Sequence, residues 1–229
     1  MKTIKTQDFN LIKDIKTGHI KGAIFDLDGT LIDSMGIWKE ICIRYLHKRN
    51  ISIPKNLNEK AKTMTFEEVA SYFKQKFNLP DTSEEIMNKW NDMAFYEYTH
   101  NIGLKKGVKE FLTFLKDNDI KIGLATANSS RLLETVLKSN NIWHYFNVVT
   151  TIDEVKKGKN HPDIYLLTAQ RLRLDPKECV VFEDILPAII GAKAAGMKVV
   201  GIFDESSKAE KRQIIKQADD FIVSFEDYL

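Results

Sequence analysis

The chain has 229 residues, of which 43% are hydrophobic and 29% are charged, and its formal net charge at pH 7 is +2. This length suits one large domain or a core with a smaller inserted domain, and the composition allows a sizeable hydrophobic core. The near balance of 34 basic and 32 acidic residues argues against nucleic acid as a partner, because nucleic-acid-binding proteins cluster basic charge.

Three features indicate a cytoplasmic protein without a membrane partner. Cys42 and Cys179 lack the CxxC or Cys/His spacing of a zinc site and fit buried thiols in a reducing compartment. No apolar run approaches the ~20 residues that a membrane helix needs. Residues 1–20 are polar and basic, without the apolar stretch of a secretory signal, and we interpret them as a lead-in segment of unknown order.

Short apolar runs alternate with longer amphipathic stretches along the chain, which predicts βα units and a parallel sheet. We therefore expect an α/β fold with a Rossmann-like parallel sheet flanked by helices. In such sheets ligands bind where the carboxyl ends of the strands meet. The predicted strands are residues 22–26, 120–126, 147–150, 179–183 and 198–202, with a weaker one at 220–223.

The first two predicted strands are separated by about ninety residues without a good strand, whereas a crossover needs only one helix. Within this stretch, residues 38–49, 66–77 and 84–98 place apolar side chains three or four positions apart, as helices do. We predict an inserted all-helical cap domain over residues 35–102. The α/β core would then comprise residues 21–34 and 103–229.

The first strand leads into the sequence Ile-Phe-Asp-Leu-Asp-Gly-Thr-Leu, in which Asp26 and Asp28 are separated by one residue. The period of an extended chain points both carboxylates to the same side, and Gly29 allows a sharp turn after them. Like charges repel, so a cation is needed nearby, and Mg²⁺ suits carboxylates and a phosphate oxygen. Taken alone, this motif could equally be an Asx turn at the end of the strand.

The second strand ends in Thr126, and Asn128 follows it. A hydroxyl and an amide both suit the oxygen atoms of a phosphate group. Thr126 could instead be the N-cap of a helix beginning at Ser129 or Ser130, and the two roles are compatible because a helix N-terminus favours an anion.

A charged loop and a further strand complete the set of polar candidates. Lys159 precedes a helix that Pro162 can start, although a lysine in such a loop is usually only solvated. The fourth strand ends in Glu183 and Asp184. Asp184 is the better candidate for a metal ligand, whereas Glu183 either binds the metal or holds Lys159.

These motifs in this order resemble those of the haloacid dehalogenase-like hydrolase superfamily, and its β-phosphoglucomutase and phosphatase branch with a helical cap in particular. The resemblance covers roughly residues 22–225 and includes the stretch Gly-Ala-Lys-Ala-Ala-Gly-Met at 191–197, which is similar to the helix that follows the family's last acidic pair. It combines four motifs around an insert of the expected place and size, and is therefore more specific than any one of them.

The resemblance implies a role for each candidate residue. Asp26 would be the nucleophile that forms an aspartyl-phosphate, and Asp28 would be the general acid and base. Mg²⁺ would be bound by Asp26, the main-chain carbonyl of Asp28, and Asp184, with Glu183 close by. The remaining candidates are Thr126 and Lys159 for the transferring phosphoryl group, and Asn128 for the substrate.

The cap would contact the substrate through the loop at residues 61–65, which lies where the family has its specificity loop. Lys62 is a candidate for binding a second polar or anionic group, although it could be a solvated loop lysine. We expect a phosphatase that acts on a small phosphorylated metabolite such as a sugar phosphate. A sugar-phosphate mutase remains open, and a receiver-type phospho-switch is more remote because it needs no cap. We expect a monomer, and a dimer remains open.

Overall fold

The computed structural model describes residues 9–52 and 66–229. The chain divides into two compact units. One contains the described residues up to Ser34 and those from Ile102 to Leu229, and the other contains the described residues between Met35 and Asn101. Ile102, which the sequence analysis assigns to the insert, belongs to the first unit.

The first unit is built on a six-stranded sheet in the order β3-β2-β1-β4-β5-β6, and all neighbouring strands are parallel. The predicted Rossmann-like sheet is confirmed. Each strand begins and ends within one residue of its predicted position, a difference that assignment at strand ends readily produces. The strands are β1 (Gly22–Phe25), β2 (Lys121–Thr126), β3 (Val148–Thr151), β4 (Cys179–Glu183), β5 (Lys198–Ile202) and β6 (Asp220–Ile222).

The described α-helices fall into both units. Those of the second unit span Ile37–His47, Phe66–Lys76 and Ser83–His100. In chain order, the helices are α1 (Leu11–Lys16), α2 (Ile37–His47), α3 (Phe66–Lys76), α4 (Ser83–His100), α5 (Val108–Asp117), α6 (Ser130–Ser139), α7 (Asp163–Leu172), α8 (Leu186–Ala194) and α9 (Lys211–Gln217). Short 3₁₀ helices span Trp143–Tyr145, Ile152–Glu154, Pro176–Glu178, Lys208–Glu210 and Phe225–Tyr228. None of the described helices combines the length and apolar character needed to cross a bilayer.

The described part of the lead-in segment is ordered. It forms α1, which buries Leu11 and Ile15 and begins after Asn10, whose side chain accepts a hydrogen bond from the main-chain N–H of Lys13. Phe9 and Ile20, on either side of the helix, are buried as well. Burial of apolar side chains stabilises this segment.

The two faces of the central strands pack against different partners, because side chains alternate along a strand. On one face Phe25 and Phe182 stack with their ring centroids 4.6 Å apart. On the other face Ile24 and Val181 share a buried cluster with Tyr165 of α7. The residues two positions after Ile24 and Val181 are Asp26 and Glu183, and they therefore project toward the side of the sheet that α7 covers.

All regular structure described in the second unit is helical, as predicted. In its core, the Trp90 ring meets the rings of Tyr45 and Phe73 edge to face, with centroids 5.8 and 5.0 Å away. Asp81, just before α4, accepts hydrogen bonds from the Tyr45 hydroxyl at 2.8 Å and from Arg49 at 2.7 Å. This network stabilises the junction between the helices. That the unit acts as a cap remains a prediction.

Candidate active site

The strand order brings the polar ends of three neighbouring strands together. β1 lies at the centre of the sheet between β2 and β4, and the chain winds outward in opposite directions from it. Ligands bind at such a switch point in open α/β sheets. Asp26, Thr126 and Glu183 lie at or just beyond the carboxyl ends of these three strands, as the sequence predicts.

Lys159 is the basic centre of the site. Its ammonium group donates a hydrogen bond to Asp26 Oδ1 at 2.6 Å and forms a second ion pair with Glu183 Oε1. The lysine side chain is only 9% exposed, so it is not a solvated loop residue. Asp26 is fixed in turn, because its main-chain N–H donates to the carbonyl of Phe182 in β4 at 3.1 Å.

Three buried acids surround this lysine. Asp26, Glu183 and Asp184 each offer a carboxylate oxygen, and these oxygens lie within 4.8 Å of one another. Like charges at such distances repel by about 4 kcal/mol per pair where the effective dielectric constant is near 20. One ammonium group offsets only one of three carboxylates, so the site has an excess of negative charge whenever all three acids are ionised.

The pKa values reflect this imbalance. Burial raises the pKa of Glu183, and Asp26 and Asp184 act in the same direction, whereas Lys159 opposes the rise. Burial and the charge of Asp26 raise the pKa of Asp184. Burial alone would lower the pKa of Lys159, but Asp26 and Glu183 hold it above its ordinary value, so the lysine stays charged.

Each of the two acids at the end of β4, Glu183 and Asp184, uses one oxygen within the protein. Glu183 Oε1 accepts from the Tyr165 hydroxyl at 2.9 Å in addition to Lys159, and Asp184 Oδ1 accepts from the Thr30 hydroxyl at 3.3 Å. In the described part of the chain, their second oxygens, Glu183 Oε2 and Asp184 Oδ2, are buried without a hydrogen-bond partner. Buried acceptors without partners are costly and rare. An all-oxygen donor set with two such atoms fits a hard divalent cation such as Mg²⁺.

Asp28 lies outside this cluster and is half-buried. Its Oδ1 accepts from the Ser34 hydroxyl at 2.6 Å, and its Oδ2 accepts from the Asn128 side-chain amide at 2.8 Å. Gly29 follows with a φ of 83°, a left-handed conformation that favours glycine and turns the chain as predicted. Two donors therefore fix the orientation of the Asp28 carboxyl group.

Thr126 is fully buried at the end of β2. Its hydroxyl oxygen accepts from the main-chain N–H of Asn128 at 3.0 Å, and a hydroxyl that accepts in this way can still donate its proton to a phosphate oxygen. The alternative in which Thr126 caps the next helix is wrong. Ser129 is the N-cap of α6, and its hydroxyl oxygen accepts from the N–H of Leu132.

Three further residues touch the site without having been assigned a role from the sequence: Thr30, Ser34 and Tyr165. Thr30 belongs to the motif that contains Asp26 and Asp28, but the spacing of residues in that motif does not predict a hydrogen-bond partner for its hydroxyl. Ser34 contacts Asp28, six residues before it, whereas Tyr165 reaches Glu183 from a different element of the fold. Lys62 lies outside the described residues.

Helix α8 packs directly against the loop that positions Lys159. A Cβ atom added to Gly191 would lie 2.1 Å from the carbonyl oxygen of Lys159 and 2.8 Å from that of His161. Both neighbours are main-chain atoms, so the loop itself would have to move. The absence of a side chain at Gly191 therefore sets the position of the lysine.

On the catalytic role that the sequence predicts for Lys159, we expect Gly191→Ala to lower turnover about 10- to 100-fold, because a displacement near 1 Å in a catalytic group has effects of that size. The measurement is the steady-state rate beside Gly103→Ala. An added Cβ at Gly103 would have no heavy atom of the described residues within 4 Å, so this control should keep near wild-type turnover. Equal rates for the two variants would show that the loop tolerates the shift.

The chain is similar to known proteins over most of its length. A family model described as haloacid dehalogenase-like hydrolase matches residues 23–202. A bifunctional riboflavin kinase/FMN phosphatase of Arabidopsis thaliana is 31% identical over 205 residues, and the alignment covers 89% of this chain but 53% of that protein. This chain thus spans about half the length of the Arabidopsis relative.

A curated relative and a solved structure, both from Thermotoga maritima, match over most of their length. A phosphorylated carbohydrates phosphatase is 28% identical over 179 residues, covering 78% of this chain and 83% of that protein. A crystal structure assigned to a β-phosphoglucomutase is 27% identical with a TM-score of 0.79, covering 91% of this chain and 96% of that one. The acid cluster, Thr126 and Lys159 all lie within the region that the family model matches.

Proposed function

Because this chain belongs to the haloacid dehalogenase-like hydrolase family and is a phosphohydrolase, we propose that it hydrolyses a small phosphorylated metabolite through a covalent intermediate on Asp26. A sugar phosphate is the favoured substrate class, since the relatives include a phosphatase of phosphorylated carbohydrates. One observation supports the proposal most: Lys159 pairs with Asp26 and Glu183 inside a buried cluster of acids.

In the first step Asp26 attacks phosphorus with a carboxylate oxygen, and the bond between phosphorus and the leaving oxygen breaks as the new bond forms. Asp28 donates its proton to the leaving oxygen. Lys159 and Thr126 bind the transferring phosphoryl group, so that most of the rate enhancement comes from positioning and charge stabilisation.

In the second step a water molecule attacks the phosphorus of the aspartyl-phosphate and gives its proton to Asp28. The bond between phosphorus and the Asp26 oxygen breaks, which releases inorganic phosphate and restores the carboxylate. Ser34 and Asn128 hold the Asp28 carboxyl group in place for both proton transfers. Asn128 is also the proposed substrate contact.

The metal proposed for this site is Mg²⁺. Asp26, Asp184 and the main-chain carbonyl of Asp28 would bind it, with Glu183 as a further ligand, and two of these acids have a buried oxygen without a partner in the described chain. Once bound, the ion would offset the charge of the acids and of the phosphoryl group.

The test is a screen of phosphorylated metabolites for release of inorganic phosphate, with Mg²⁺ and with excess EDTA. We expect Mg²⁺-dependent release from at least one sugar phosphate. Failure to release phosphate from any compound of a broad panel, in the presence of Mg²⁺, would contradict the proposed hydrolysis.

A sugar-phosphate mutase is the second candidate, supported by the similarity to the β-phosphoglucomutase structure. A mutase must keep water from the aspartyl-phosphate and return the phosphoryl group to the sugar. The two reactions differ in their products. One inorganic phosphate per turnover identifies the phosphatase, whereas isomerised sugar phosphate without phosphate release identifies the mutase.

The raised pKa values of Glu183 and Asp184 predict pH-dependent metal binding. An acid with a raised pKa retains its proton to a higher pH, and the metal must displace that proton. We expect Mg²⁺ affinity to fall as the pH is lowered from about 8 to about 6, by about tenfold per pH unit for each proton displaced. Isothermal titration calorimetry without substrate measures this, and equal affinity at both pH values would contradict it.

A cytoplasmic location, a monomeric state and contact between substrate and the helical unit remain predictions. The free thiols of Cys42 and Cys179 are consistent with a reducing compartment. The receiver-type switch is not retained, because the chain belongs to a hydrolase family.

A further inference from the structure

Tyr165 joins α7 to the acid cluster. It is the third residue of the helix, its side chain is fully buried, and its hydroxyl donates to Glu183 Oε1 at 2.9 Å. Glu183 is also fully buried. The catalytic roles proposed above make no use of this contact.

The contact determines how the two oxygens of Glu183 are used. Oε1 accepts from both Tyr165 and Lys159, whereas Oε2 has no hydrogen-bond partner in the described chain. Rotating the carboxylate out of this orientation would disrupt both interactions. Tyr165 and Lys159 together therefore keep Oε2 as the oxygen without a protein partner.

Tyr165 is suited to this role because it remains a donor. Its hydroxyl lies 2.9 Å from Glu183 Oε1, and a phenolic hydroxyl donates its proton to an ionised carboxylate. The Lys159 ammonium group lies 6.0 Å from the centre of the tyrosine ring. The ring thus also forms part of the wall around the lysine.

We propose that Tyr165 is a positioning residue of the metal site: its hydroxyl fixes the Glu183 carboxylate so that Oε1 holds Lys159 and Oε2 faces the metal. This inference rests on the proposed metal-dependent function. Partners that orient metal-binding side chains commonly contribute 10- to 100-fold to metal affinity or activity. The hydroxyl of Tyr165 is such a partner, acting through Glu183 without contact to the substrate.

The test compares Tyr165→Phe with Tyr228→Phe, a matched control in the same unit. The Tyr228 hydroxyl donates to the buried carboxylate of Asp220 at 2.8 Å. Both changes remove one hydroxyl that donates to a carboxylate and keep the ring. Urea unfolding without metal should show that both variants fold, with similar losses of stability. Only Tyr165→Phe removes a contact of the acid cluster.

Binding of Mg²⁺ alone is measured by isothermal titration calorimetry, so the readout does not depend on activity. We expect Tyr165→Phe to bind Mg²⁺ about tenfold more weakly than wild type, and Tyr228→Phe to bind within about twofold of it. In a Glu183→Gln background, Tyr165→Phe should cause no further loss, because the two residues act as one unit.

Wild-type affinity in Tyr165→Phe would overturn this inference alone, as would an equal loss in both tyrosine variants or a full further loss in the Glu183→Gln background. A wild-type protein that binds no Mg²⁺ would overturn the inference and the proposed metal-dependent function together.

Discussion

Replacing Asp26 by Asn is expected to reduce turnover at least about 10⁴-fold, because the amide cannot act as the nucleophile that forms the acyl-phosphate. The substitution nearly preserves the size of the side chain. It also removes the charge that pairs with Lys159 at 2.6 Å, so the lysine would keep only Glu183 as its partner. Phosphate release under saturating substrate and Mg²⁺ measures the loss.

The control for this prediction is Asp117→Asn. Asp117 is exposed at the end of α5, just before β2 begins, and so lies near the opposite edge of the sheet from the site. The substitution Asp117→Asn makes the same chemical change away from the acid cluster, so we expect this variant to keep wild-type turnover. Residual activity above about 1% in Asp26→Asn, after exclusion of deamidation back to Asp by mass spectrometry, would contradict the assigned nucleophile.

Replacing Lys159 by Met is expected to have two separate effects. Turnover should fall about 10³-fold, because the phosphoryl group loses its cationic partner in a buried site. The metal-free protein should lose about 3 kcal/mol of stability, since removing one partner of a buried ion pair leaves the other charge uncompensated. Here two acids, Asp26 and Glu183, lose that partner.

Urea unfolding with and without Mg²⁺ separates these effects. Mg²⁺ should restore part of the stability of Lys159→Met, because the ion supplies positive charge to the same acids, but it should not restore turnover. Lys157→Met is the matched control, since Lys157 is an exposed lysine of the same loop. Similar stability of the two variants without metal would show that Lys159 does not compensate the acids.

The sheet could be predicted from the sequence because its signal is local. Each apolar run that alternates with an amphipathic stretch forms a strand, and the first, second and fourth strands lead directly into polar residues. Asp26, Thr126 and Glu183 converge for this reason: they lie at or just beyond the carboxyl ends of adjacent parallel strands. Their convergence can therefore be predicted without knowing any distance between these three residues.

The contacts around the acids could not be predicted in the same way. Whether Thr126 or Ser129 caps α6 depends on where the helix begins, which the spacing of hydroxyl residues does not determine. Tyr165 resembles any buried aromatic residue of a helix until its hydroxyl is seen to reach Glu183. For Glu183, the sequence analysis offers metal binding and contact with Lys159 as alternatives, but the two roles are compatible. One oxygen holds Lys159, and the other is left without a partner among the described residues.

The central position of β1 has a consequence for the order in which the protein can be assembled. β1 is synthesised first among the strands, yet it pairs only with β2 and β4, and the ion pair between Asp26 and Lys159 joins residues 133 positions apart. A growing polypeptide on the ribosome therefore holds an apolar strand with two open edges until β2 has emerged, and with one open edge until β4 has emerged. Such edges promote aggregation, and contacts between distant residues slow folding. Of the strands with two neighbours in the sheet, the first is therefore the one whose edges stay uncovered longest during translation.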